Sequence, residues 1–106
     1  MRGNMNNMQG MMKKVKKMQK EMETSQKALK EQNFEGSASH GLVTVKMSGE
    51  KEVLKVTIDP EILTPEDVEM IEDLVLLATN QALEKVDQAT EKAMGKYTQG
   101  LNLPGF

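Results

Sequence analysis

Residues 34–58 read FEGSASHGLVTVKMSGEKEVLKVTI. Here the side-chain period is two. Phe34, Gly36 and Ala38 alternate with Glu35, Ser37 and Ser39. Residues 42–47 (LVTVKM) set Val43, Val45 and Met47 on one face. Residues 53–58 (VLKVTI) set Leu54, Val56 and Ile58 on one face and Lys55 and Thr57 on the other. Val, Ile and Thr favour strands because their branched β-carbons fit a pleated surface. Ser48-Gly49-Glu50-Lys51 forms a short hairpin loop between the last two runs, and His40-Gly41 forms a second tight connection. The stretch predicts a three-stranded antiparallel meander with one apolar face.

Both flanks read as helices. From about residue 5 to residue 32, Met8, Val15, Met22 and Leu29 recur every seven residues, with Met11, Met18 and Ser25 three places after the first three. This is an a/d seam sustained for about three heptads. The intervening Lys, Glu and Gln are good helix formers. Gly10 and the Thr24-Ser25 pair are weak points, residues 1–12 are expected to fray, and Asn33 and Gly36 end the pattern. Downstream, Asp59-Pro60 stops the third strand, since proline cannot donate to a ladder. Thr64 reads as an N-cap, Pro65 as the first helical position, and Glu66 and Asp67 as acids at the positive helix end. Val68, Ile71, Val75, Ala78, Ala82, Val86, Ala89 and Ala93 then mark one stripe, widened by Met70, Leu74 and Leu77. Gly95 is the expected stop, and residues 96–106 read as an extended end. The predicted class is α+β, a helix, a three-stranded antiparallel meander and a helix (αβββα), with the second helix covering the apolar face of the sheet.

The first helix is too long for its own body. Its 28 residues (5–32) would span roughly 42 Å at about 1.5 Å each, whereas a 100-residue domain has a radius of gyration near 13 Å. It must overhang, leaving part of the Met8, Met11, Val15, Met18 and Met22 seam for a dimer partner or another protein. Dimer contacts are expected to involve the sheet and helices, with helix ends projecting.

Composition narrows the chemistry. The chain has 106 residues, which fits one domain, and no Cys, which removes disulfides, thiolate metal sites and a Cys nucleophile. Neither a secretory signal nor a membrane span is present, so a cytoplasmic protein is expected. His40 is the only histidine and reads as a loop residue. No nucleophile elbow surrounds a serine, and no GxxxxGK phosphate loop exists. The acids at 66–67 and 72–73 read as a solvated helix face. An enzyme is therefore not expected, nor a small-molecule substrate or cofactor. Seven of the ten Met lie within residues 1–22. Thioethers can bind Cu(I), but an adaptable apolar seam is the plainer account.

Charge is divided along the chain. Residues 1–32 carry eight basic and three acidic groups, whereas residues 59–106 carry three basic and ten acidic groups. With Val15 at position a, Lys14 is g, Lys16 is b, Lys17 is c, and Lys13 and Lys20 are f. Every lysine of the cluster avoids the a/d positions. The first helix thus has one face for protein and another for an anion, and duplex DNA carries a charge about every 1.7 Å of its axis. With Arg2 as the only arginine, forked reading of guanine is poorly supplied. With Phe34, Tyr97 and Phe106 the only aromatics, so is base stacking. The stripe suits binding led by phosphates, with weak sequence preference.

The segments MRGNMNNMQGMMKKVKKMQKEM, EGSASHGLVTVKMSGEKEVLKVTIDPE, EDVEMIEDLVLLATNQALEKV and MGKYTQGLN occur in this order over nearly the whole chain. In this the chain resembles the YbaB/EbfC family of bacterial nucleoid-associated proteins. The resemblance implies one YbaB-like domain over residues 1–106, of which 1–7 and 96–106 read from their composition and lack of period as flexible ends. It implies a tweezers-like homodimer with protruding helices, no membrane association, and double-stranded DNA of the nucleoid as the partner. It carries over no catalytic motif and no compact contact signature. DNA contacts are therefore assigned by charge to Lys13, Lys14, Lys16, Lys17 and Lys20, with Arg2 further out. Ser39-His40 departs from the glycine expected beside Gly41. The acidic second helix should restrict DNA to one part of the surface. The alternative is a protein-interaction adaptor using the Met-rich first helix, with the lysines serving solubility.

Overall fold

The computed structural model describes residues 2–101, with side chains for residues 7–95. Helix α1 (Arg2–Glu31) leads into strands β1 (Asn33–Ala38), β2 (Val43–Ser48) and β3 (Val53–Ile58). Two 3-10 turns, Pro60–Ile62 and Pro65–Asp67, precede helix α2 (Val68–Leu101). The sheet is antiparallel in the order β1-β2-β3. The αβββα order is the one the period changes predict.

The alternation is legible in the packing. Val43, Val45 and Met47 are buried on the face of β2 that meets α2, and Ala38 joins them from β1. From α2 come Leu74, Ala78, Ala82 and Val86, spaced by four. The small residues set how close the layers lie. A methyl added at Gly36 would overlap the Ala78 carbonyl oxygen, so glycine in β1 and alanine in α2 bring backbone to backbone. The same device seats α1. A methyl at Gly49 would overlap the Leu29 carbonyl, and the Gly49 N–H donates to the Gln32 carbonyl at 3.0 Å. The last turn of α1 is thereby fixed on the β2–β3 turn, with Leu29 buried.

Side chains of α2 cap the free edge of β1. The Ser37 N–H donates to Gln81 Oε1 at 2.6 Å, and Lys85 Nζ donates to the Glu35 carbonyl at 2.7 Å. The outer edge of β3 has no such cover among the described residues.

Several expectations are corrected. The helix does not stop at Gly95, and residues 96–101 are helical rather than extended; residues 102–106 lie outside the described residues. No proline intervenes before Pro104, and glycine weakens a helix without breaking it. Helix α1 starts at Arg2 rather than near residue 5. Thr64 does not cap α2 directly. It precedes a 3-10 turn, makes no side-chain cap, and donates through its hydroxyl to Asp67 Oδ2 at 2.8 Å. Val68, Met70 and Leu77 were expected in the apolar stripe but are exposed. Finally, α2 covers β1 and β2 and leaves β3 largely open. A helix about 10 Å across can cover only about two strands spaced near 4.8 Å.

Candidate nucleic-acid interface

Only the C-terminal part of α1 is held by the body. Leu29 is buried, Met18, Met22 and Ser25 are half-buried, and residues 7–17 are exposed. The overhang makes the molecule long, with extents of 78 × 24 × 17 Å and a radius of gyration of 21.2 Å. The body-facing part of α1 runs along the second half of α2, with Gln26 Nε2 3.8 Å from Met94 Sδ. The two helices are antiparallel. The N-terminal end of α1 therefore points away from the sheet.

Lys13, Lys14, Lys16, Lys17 and Lys20 all lie on this overhang or at its root, and all are exposed. None has an ion-pair partner among the described residues; the ion pair found there is Lys51–Asp87, at 2.9 Å on the β2–β3 turn. The basic stripe is neither buried nor neutralised within its own chain. The side chain of Arg2 lies outside the described residues. The seam divides at Met18. Below it the seam is half-buried or buried, and above it Met8, Met11, Met12 and Val15 are 64%, 66%, 59% and 50% exposed.

His40, the one histidine, sits at the β1–β2 turn and is exposed. Ser39, His40 and Gly41 all have positive φ there, at 53°, 56° and 90°. Among the described residues, no group of three or more His, Cys, Asp or Glu could hold a metal ion, and no helix is long and apolar enough to cross a membrane.

A second surface escaped the reading of the sequence. Val53, Leu54 and Val56 on β3 are 45%, 49% and 45% exposed, and Leu76 on α2 is exposed as well. Register places Val56 opposite Val45 and Val53 opposite Met47, with an irregularity between Lys46 and Met47. Val53 and Val56 thus lie on the face that carries the core, beyond the reach of α2; strict alternation predicts Leu54 in place of Val53, and the irregularity in the register shifts the phase. Leu77, Gln81 and Lys85 form one i, i+4 row, and the last two meet β1. Leu76 and the half-buried Leu83 fall on the opposite flank of α2. The signal was the ratio of one covering helix to three apolar strands.

The described residues thus form a small body from which an exposed basic helix projects. The sequence profile of the YbaB/EbfC DNA-binding family matches residues 5–101, and the chain belongs to that family. A Bacillus licheniformis protein named as nucleoid-associated is 57% identical over 106 residues, covering 100% of this chain and 99% of its own. A Bacillus cereus protein of the same description is 55% identical over 105 residues, covering 99% of this chain and 96% of its own. The crystal structure of an uncharacterized protein from Helicobacter pylori superposes with a TM-score of 0.67 at 22% identity, over 78% of this chain and 87% of that one. That likeness supports the fold alone.

Proposed function

We propose that this chain is a non-enzymatic, nucleoid-associated protein that binds duplex DNA as a homodimer, mainly through phosphates. The observation that carries the reading is the projecting α1, with five exposed lysines lacking any ion-pair partner among the described residues. Membership of a DNA-binding family and the names of the Bacillus relatives support the same partner and a place in the nucleoid. Lys13, Lys14, Lys16, Lys17 and Lys20 contact phosphates, with Arg2 extending the stripe. Lysine is a point charge, so such contacts position the protein without selecting bases. Organisation of the nucleoid follows from such binding, and effects on transcription follow from where the DNA is covered.

The homodimer rests on the open apolar face of Val53, Leu54, Val56 and Leu76, together with the free edge of β3. A two-fold contact there joins two sheets and leaves both α1 helices projecting, as a pair of arms.

The test is a salt titration of duplex affinity on a sample of known mass. Two arms offering six to ten phosphate contacts should lose about 10³-fold or more in affinity between 50 and 200 mM salt. Replacing Lys13, Lys14, Lys16 and Lys17 by Gln should weaken binding uniformly across sequences and flatten the slope by about one per lost contact. Unchanged affinity in that variant removes the site assignment.

A further inference from the structure

The DNA reading leaves the outer seam of α1 unexplained. Met11, Met12 and Val15, with Lys16 and Gln19, line a shallow groove of about 330 Å³ on the overhang. On a helix turning about 100° per residue, Lys16 and Lys14 flank this apolar strip, one on each side. Lys13, Lys17 and Lys20 lie on the back of the helix. A partner for the groove must therefore be apolar at its centre and acidic at its rims. A second copy of the basic tip is the wrong partner, because residues 1–20 carry six basic groups and no acid.

The chain itself contains the complementary surface at its other end. The 3-10 turn before α2 carries Glu66 and Asp67 and the first turns of α2 carry Glu69, Glu72 and Asp73, with no basic residue between Asp59 and Glu84. Within that segment Met70 and Leu77 are exposed, 40% and 58%. Glu69, Asp73 and Leu77 form one i, i+4 row, with Met70 beside it. That row runs across the outer face of α2, away from the sheet, from beside Leu76 toward the β1 flank. The tip of α1 and the start of α2 sit at opposite ends of a body 78 Å long, so one rigid chain cannot join them.

We propose that the apolar groove at the tip of α1 docks against the acidic start of α2 in a second copy of this chain, head to tail. Met11, Met12 and Val15 meet Met70 and Leu77, and Lys14 and Lys16 meet Glu69 and Asp73. A tip docked in this way gives up the phosphate contacts of Lys14 and Lys16 and keeps Lys13, Lys17 and Lys20 for DNA. This deepens the DNA-binding reading, since a head-to-tail contact whose rotation does not close a ring extends a row of molecules along a duplex.

Sedimentation at low salt without DNA tests the contact. The wild-type chain should grow from its smallest unit to a concentration-dependent series that 0.5 M NaCl dissolves. A tip variant (Lys14→Glu with Lys16→Glu) and a foot variant (Glu69→Lys with Asp73→Lys), each with unchanged circular dichroism, should stay at the smallest unit. Mixed in equal amounts they should recover the series, because acidic tips then meet basic feet. A wild type that never grows, or a mixture that stays small, overturns the proposal. On DNA, the foot variant should bind a short duplex holding one unit at least as tightly as the wild type, yet lose cooperativity on a long one. Retained cooperativity overturns the contact. Failure of the wild-type protein to bind the short duplex overturns the DNA reading instead, and the DNA-free series still decides the contact.

Discussion

Gly36 and Gly49 are where the layers of this protein come closest. Each stands where a side chain would collide with helix backbone, Ala78 in one case and Leu29 in the other. Backbone cannot swing aside as a flexible side chain can. Gly36→Ala should therefore cost at least about 3 kcal/mol, the upper end of overpacking, and lower the melting temperature by more than about 10 °C for a domain of this size. Thermal unfolding at fixed protein concentration measures it. His40 makes the opposite case. Its φ of 56° is a left-handed conformation that costs an L-residue about 1 kcal/mol or more. His40→Gly should stabilise the fold by about 0.5–1 kcal/mol and leave DNA affinity unchanged. The departure from glycine at this turn is visible in the chain. The positive φ that gives it meaning is set by the pairing of Ala38 with Val43 across the turn.

Among the elements, α1 has two halves held by different forces. The half from Met18 onward leans on α2 and ends on the β2–β3 turn, with Leu29 buried. The outer half has only its own hydrogen bonds, and a helical segment that short is marginal in water. Gly10 weakens it further, in open space. Hydrogen exchange should find the amides of residues 7–17 far less protected than those of β2, and added duplex should slow them. Gly10→Ala has room for its methyl and should steady the arm by about 0.5–1 kcal/mol, seen as a two- to fivefold slowing of exchange on either side. Helix α2 was read with the right period and the wrong width. Its stripe counted Val68, Met70 and Leu77 as core, because periodicity reports a face and not the extent of sheet beneath it. Only Leu74, Ala78, Ala82 and Val86 meet β1 and β2 closely enough to be buried.

Across the whole molecule, a three-stranded sheet under one helix leaves an apolar margin. The margin formed by β3 and Leu76 is the face proposed for the dimer. Val56 is nearly half exposed in the single chain, so a charge there costs the isolated fold little. Val56→Glu should yield a folded monomer by sedimentation and circular dichroism, and should weaken duplex binding sharply by uncoupling the two arms. A Val56→Glu protein that sediments as a dimer would place the interface elsewhere. The separation of charge belongs to this scale too. Summed over the chain the net charge is only −2, but the folded molecule holds the lysines of residues 13–20 and the acids of residues 66–73 at opposite ends.

The sequence alone determined the order of elements, the inward faces of β1 and β2 and the grouping of five lysines off the a/d seam. All three are local: they follow from periods of 2 and 3.6 and from the residues that punctuate them. It also required an overhang, since the length of a helix and the size of a body are both arithmetic. Tertiary structure alone decided which part of the seam α2 covers, where the sheet is left bare, and that the basic and acidic segments face away from each other. Those depend on how far one helix reaches across three strands and on the backbone contacts that Gly36 and Gly49 permit, distances that no periodicity encodes.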